Sequence, residues 1–205
     1  MTRLLLVRHG VTDHNTNHRF AGYSDVDLSE RGVEQVQKLG ERLAGEKIDA
    51  VYSSDLKRAV ATARAAVNSH DLEIDLRPEL REMNYGLAEG MTFGELEKAY
   101  PDIAESIVHF NTGICFPEGE TFMGFVSRSC GFLEMVQEHG RDETVLIVSH
   151  GGVLKVLVCD LLGIDHIHWP QIRFDNASLS IIDTYGERVI LSLLNDTSHL
   201  RNITT

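Results

Sequence analysis

The chain alternates short apolar runs with amphipathic stretches. Residues 4–7 and 145–148 are unbroken apolar runs. A strand buried on both faces reads this way, because successive side chains enter opposite apolar layers. Ile48-Asp-Ala-Val-Tyr52 predicts a second strand, and residues 73–76 a third. Between the first two, residues 10–28 read as a loop and Ser29 as an N-cap. Val33, Val36, Leu39 and Leu43 follow at helical spacing, predicting a helix to about Ala44. Ser53, Ser54 and Asp55 offer caps for a helix with Leu56, Val60, Ala63 and Val67 on its apolar face and Arg58 in its first turn. Thr92-x-x-Glu95 is a capping-box pattern. Helices are predicted over about 120–138, stopping at Gly140, and over 153–162, stopping at Gly163. Residues 178–183 and 188–194, joined around Tyr185-Gly186, predict a hairpin. Strands alternating with helices and then a closing hairpin imply an α/β fold. The expected architecture is a three-layer α/β/α sandwich over residues 1–205, with a mostly parallel sheet and an antiparallel edge.

Composition narrows the partners. The 205 residues carry 31 acidic and 19 basic side chains, a net charge of −12. That balance argues against nucleic acid or an anionic membrane as partner, so an anionic ligand would need a local cationic pocket. The first apolar run meets Arg8 after four residues, so no signal peptide is expected. No stretch approaches membrane-spanning length. Cys115, Cys130 and Cys159 lie far apart with no metal or redox spacing, which predicts free thiols in the cytoplasm.

The chemistry gathers at strand ends. Arg8-His9-Gly10 follows the first strand, Arg58 follows the second by one helical turn, and Ser149-His150-Gly151-Gly152 follows the 145–148 strand. In a parallel sheet these C-terminal ends lie side by side, where open α/β sheets bind ligands. Two arginines and two histidines would then line one crevice. Arginine binds phosphoryl oxygens bidentately, and a neutral imidazole is a competent nucleophile. The start of the following helix adds N–H groups and a favourable dipole. Glu82 is weak on its own, since a glutamate after Arg81 is commonly half of a solvated ion pair.

Two other chemistries are weaker. His166-x-His168 is the best metal pair among ten histidines, but no acidic or cysteine ligand stands at motif spacing. His14 and His18 could share a helical face, but their neighbours favour a loop. The serine of Ser149-His150 lacks a Gly-x-Ser-x-Gly elbow.

Several segments, in order, resemble the histidine phosphatase superfamily, which includes the phosphoglycerate mutases. They are Leu6-Val-Arg-His-Gly10, Thr12-Asp-His-Asn15, Arg19-Phe-Ala-Gly22, Asp27-Leu-Ser-Glu-Arg-Gly32, Tyr52-Ser-Ser-Asp-Leu-Lys-Arg58, Leu80-Arg-Glu82 with Tyr85-Gly86, and Val148-Ser-His-Gly151. The resemblance implies a phosphoglycerate mutase-like fold. It implies His9 as nucleophile, Glu82 as acid and base, and Arg8, Arg58 and His150 as catalytic holders of the phosphoryl oxygens. Asn15, Gly22, Tyr85 and Gly151 complete the implied binding site, and no metal or organic cofactor is expected. The mutases carry paired arginines and a lysine after the acid region. Here residues 83–144 hold no Arg-Arg pair and only Lys98.

Gly86-Leu-Ala-Glu-Gly90 and Pro117-Glu-Gly-Glu-Thr121 instead resemble the compact phosphatase branch, which includes α-ribazole and phosphoserine phosphatases, although Ala88 replaces that branch's usual tryptophan. The implied activity is hydrolysis of a small phosphate ester through a phosphohistidine, with residues 83–125 as a lid. Phe93, Ile107, Phe110 and Phe116 are candidates to touch substrate or to pack the core. The alternatives are a phosphoglycerate mutase and a silent phosphate-binding module. The hairpin edge is open to pairing in a homodimer or to cover by the chain itself.

Overall fold

The first apolar run becomes strand β1 (Thr2–Arg8). Helix α1 (Asp13–Thr16) lies in the stretch expected to be loop, because Thr12 and Asn15 form a reciprocal capping box. Helix α2 (Glu30–Leu43) starts at Ser29, whose Oγ accepts from the Gly32 N–H at 3.2 Å. Strand β2 (Ala50–Ser53) leads to helix α3 (Lys57–Ala66), and strand β3 (Ile74–Leu76) follows. Helices α4 (Phe93–Ala99), α5 (Pro101–Val108) and α6 (Phe122–Val136) precede strand β4 (Thr144–Ser149) and helix α7 (Gly151–Leu162). Strands β5 (Leu179–Tyr185) and β6 (Arg188–Asp196) form the hairpin. This computed structural model describes all residues except 110, 137, 138, 141, 202, 204 and 205.

The six strands form one sheet in the order β3-β2-β4-β1-β5-β6. The first four are parallel, and β5 and β6 add the antiparallel edge. The period of two splits β1 between two cores. Leu4 and Leu6 pack with Phe125, Phe132, Leu154 and Leu157 on the α6–α7 side, while Leu5 and Val7 pack with Leu39, Leu43, Ala59 and Ala63 on the α2–α3 side. These are the three expected layers.

Local differences have physical causes. Val33 is exposed although it falls at helical spacing, because it lies beside the buried stripe of Val36 and Leu39. The N-cap of α3 is Leu56, not Ser53, Ser54 or Asp55, and it makes no side-chain cap bond. Asp55 is taken by Arg81, and Ser54 by His150. Helix α1 includes His14 but ends before His18, which has positive φ (51°), so the two do not share a helical face. Residue 138, the expected end of helix α6, lies outside the described residues, as does Phe110, and Gly140 lies beyond the helix. Phe116 is buried against Tyr85 and Phe20, and Phe93 is exposed.

Candidate active site

Strand register assembles the site. Arg8 stands opposite Ser149 between β1 and β4, and Ser53 stands opposite Val148 between β2 and β4. His9 and His150 therefore leave adjacent strand ends, with ring centroids 5.0 Å apart. The His9 N–H donates to the Ser149 carbonyl at 3.0 Å, and the Ser54 N–H to the Val148 carbonyl at 3.0 Å.

Both imidazoles are held neutral with defined donor atoms. Burial, reinforced by the charges of Arg58 and Arg8, pushes the His9 pKa well below the ordinary 6.5. Its Nδ1 lies 2.7 Å from the Gly10 carbonyl, which can only accept. Nδ1 thus carries the proton, and Nε2 keeps its lone pair. His150 is also pushed well down, by burial and then by Arg58, His9 and Arg8. Its Nε2 lies 2.8 Å from Ser54 Oγ, an oxygen that also accepts from the Leu56 N–H. The Ser54 hydroxyl makes no hydrogen bond to another acceptor among the described residues, so its proton goes to Nε2, and the His150 proton lies on Nδ1, buried without a protein partner.

The arginines combine anchoring with reserve donors. Arg8 Nη1 donates to the Phe174 carbonyl at 2.6 Å. Arg58 donates to the carbonyls of Ser24, Ala21 and Gly22 at 2.7, 3.0 and 2.8 Å, which clamps that loop over α3. The Nε of each is buried and has no protein partner. Burial pulls both guanidinium pKa values below the ordinary arginine range, opposed by the charge of Glu82.

Glu82 is no solvated partner of Arg81, which forks onto Asp55 with two 2.6 Å bonds. Its carboxylate accepts from the N–H of Gly152 at 3.0 Å and of Met83 at 3.1 Å. A Cβ on Gly152 would lie 2.2 Å from Glu82 Oε1, so glycine is needed for this approach. Gly151 packs against the Arg8 guanidinium. Asn15 Oδ1 is taken up by Thr12 and by Asn176 Nδ2 at 3.1 Å, so its Nδ2 is the group it can offer. Burial pushes the Tyr85 phenol well above 10. Gly22 is fixed by contact: a Cβ there would lie 1.9 Å from the Met83 carbonyl oxygen.

Supporting residues were not singled out from sequence. The Glu89 carboxylate accepts from the N–H groups of Gly22, Tyr23, Ser24 and Tyr85 and from the Ser24 hydroxyl. Arg128 ties Glu120 to the carbonyls of residues 79, 81 and 82. Asn176 donates to the His9 carbonyl. The only trace of these contacts in the sequence was the glutamate of Gly86-Leu-Ala-Glu-Gly90.

A cleft of about 550 Å³ opens beside the cluster, lined by Arg8, Glu82, Tyr85, Lys155, Trp169 and Arg173 among others. Lys155 and Arg173 are two cations of this lining that lie outside residues 83–144. A larger cleft of about 770 Å³, beside Met1, Thr2 and Tyr185, lies at the opposite end of β1 and holds none of these groups. Among the described residues no helix is long and apolar enough to cross a membrane.

The profile of the histidine phosphatase superfamily (branch 1) matches residues 4–197. The chain is 35% identical to phosphoserine phosphatase 1 of Hydrogenobacter thermophilus, over 98% of this chain and 95% of that protein. It is 32% identical to the adenosylcobalamin/alpha-ribazole phosphatase of Escherichia coli, over 94% and 95%. The solved structure of Bacillus stearothermophilus YhfR superposes with a TM-score of 0.91 at 29% identity, over 98% of this chain and all of that one. With a profile match spanning nearly its whole length and relatives of this likeness covering it end to end, the chain belongs to the histidine phosphatase superfamily.

Proposed function

We propose that the protein hydrolyses a small phosphate monoester through a phosphohistidine on His9. The observation that carries this is the surplus of buried donors. Arg8 Nε, Arg58 Nε and His150 Nδ1 have no protein partner, and they accompany an imidazole whose Nε2 lone pair is free to attack. Three N–H groups suit the spread charge of a transferring phosphoryl group, and Asn15 Nδ2 adds a fourth.

His9 Nε2 attacks phosphorus as the bond to the ester oxygen breaks. Glu82 in its acid form gives its proton to that oxygen, and the alcohol leaves. The Glu82 carboxylate then takes a proton from water, whose oxygen attacks the phosphohistidine. Phosphate departs, and His9 and the acid form of Glu82 are restored. No step calls on a metal. Tyr85, Trp169 and Lys155 border the leaving group, and the ammonium of Lys155 favours an alcohol bearing a second acidic group. Of the lid expected over residues 83–125, Tyr85 lines this cleft.

Brief mixing with a 32P-labelled phosphomonoester should trap acid-labile, alkali-stable label on His9. His9→Ala should carry no label and lose about a thousandfold or more of turnover. Undiminished turnover in that variant would rule out the mechanism. Release of inorganic phosphate without a bisphosphate primer separates this activity from a mutase.

A further inference from the structure

His166 and His168 do not act as a pair. His168 Nδ1 meets Gln171 Nε2 at 3.1 Å within the 3-10 helix His166–Gln171. His166 turns the other way. Its Nε2 lies 3.9 Å from Cys130 Sγ on α6 and 4.0 Å from Asp160 Oδ1 on α7, and all three donor atoms lie within 4.8 Å of one another. We propose that Cys130, Asp160 and His166 form a second, non-catalytic site for a zinc-type divalent cation, which pins the segment carrying Trp169 and Pro170 to α6 and α7.

The donor set selects the ion. One thiolate, one imidazole and one carboxylate suit Zn²⁺ or Co²⁺, whereas Mg²⁺ and Ca²⁺ take oxygen ligands. Tetrahedral zinc bonds of about 2.0–2.3 Å put neighbouring donors roughly 3.4–3.6 Å apart. The 3.9 and 4.0 Å separations need to close by roughly 0.3–0.6 Å and the third, within 4.8 Å, by up to about 1.3 Å, movements open to partly exposed side chains, and water completes the fourth position. Binding breaks the Cys130 S–H bond, forms a metal–sulfur bond and releases the proton to solvent. A redox or nucleophilic role for Cys130 fits less well, since burial and Asp160 push the free thiol up to about 12.

Three elements supply the ligands, and the fold explains the convergence. Asp160 is in the last turn of α7, and Gly163 takes the left-handed conformation (φ 65°) that ends it. Asp165 then caps the 3-10 turn by accepting from the Ile167 N–H, which swings His166 back over α6 and α7. Two residues past Ile167, Trp169 stacks on Phe122, lies 5.2 Å from Lys155 Nζ and lines the substrate cleft. A cation on His166 therefore fixes a wall of that cleft without touching the reacting groups. The site does not depend on the proposed reaction.

The test is titration of the reduced, metal-free full-length protein with Co²⁺ and then Zn²⁺. We expect one equivalent of Co²⁺ to raise a thiolate-to-cobalt charge-transfer band that Zn²⁺ abolishes. Emission of Trp169, the only tryptophan, should shift as Zn²⁺ binds. Cys130→Ser and His166→Ala should each weaken binding at least tenfold, and Cys115→Ser should leave it unchanged. No cysteine stands among the catalytic groups, so metal taken up at His9, His150 or Glu82 gives no such band and counts against the proposal. A band that survives His166→Ala, or one lost only in Cys115→Ser, overturns it. His166 is partly exposed, so its variant decides the matter even if Cys130→Ser fails to fold.

Discussion

At the scale of single residues, the site depends on protons held in fixed places. Glu82 is positioned by two backbone N–H groups and stands apart from Arg81, lining the cleft where the leaving oxygen would sit. Glu82→Gln should then slow esters of poorly leaving alkyl alcohols far more than aryl esters. Rates across a series of leaving-group pKa values check this, and equal slowing throughout would remove Glu82 from that role. The two neutral histidines also leave a mark on stability. In the unfolded chain both titrate near 6.5, and in the fold both stay neutral to well below it. Below 6.5 the unfolded state therefore binds more protons, and stability falls with pH by up to about 1.4 kcal/mol per unit for each histidine. Above 6.5 neither contributes a slope. Urea unfolding at about pH 7 and about pH 5.5 should show the loss, and His150→Gln should reduce it by about half.

At the scale of elements, backbone proximity matters as much as side-chain identity. Helix α7 begins with two glycines because Arg8 packs on Gly151 and Glu82 on Gly152. In Gly152→Ala the added Cβ displaces the flexible Glu82 carboxylate before it can move backbone. We expect kcat to fall about tenfold or more while unfolding free energy changes by only about 1 kcal/mol. Activity and urea unfolding on the same preparation would show whether the two separate. The sequence made His9, Arg8, Arg58 and His150 legible because each sits at or near the end of an apolar run, and strand ends are local signals, whereas Glu82, which follows no such run, was legible only through the family resemblance. Glu89, Arg128, Asn176 and Ser54 were not legible, since their worth lies mostly in bonds to backbone 46 to 167 residues away, or to a partner such as His150 at a neighbouring strand end. Helix α1 was hidden for a different reason: four residues are too few for a periodic pattern, and only the Thr12–Asn15 capping box marks it.

At the scale of the whole molecule, an acidic chain of net charge −12 gathers the buried Arg58, the partly buried Arg8 and two buried imidazoles at the C-terminal ends of its central strands. Burial lowers the pKa of all four, and the neighbouring positive charges lower those of the two histidines further. The ligand-free fold thus carries a local electrostatic cost that a bound oxyanion relieves, a trade of stability for activity seen where sites are preorganised. Orthovanadate, with the shape and charge of a phosphoryl group in transfer, should stabilise the protein by about 2.7 kcal/mol at a hundred times its Kd. For a domain of this size that raises the melting temperature by roughly 5–10 °C. Chloride at matched ionic strength should produce little of this shift, because it screens surface charge without bridging Arg8, Arg58 and His150. Thermal melts in the two salts measure the difference, and equal shifts would mean that the cationic cluster binds no oxyanion specifically.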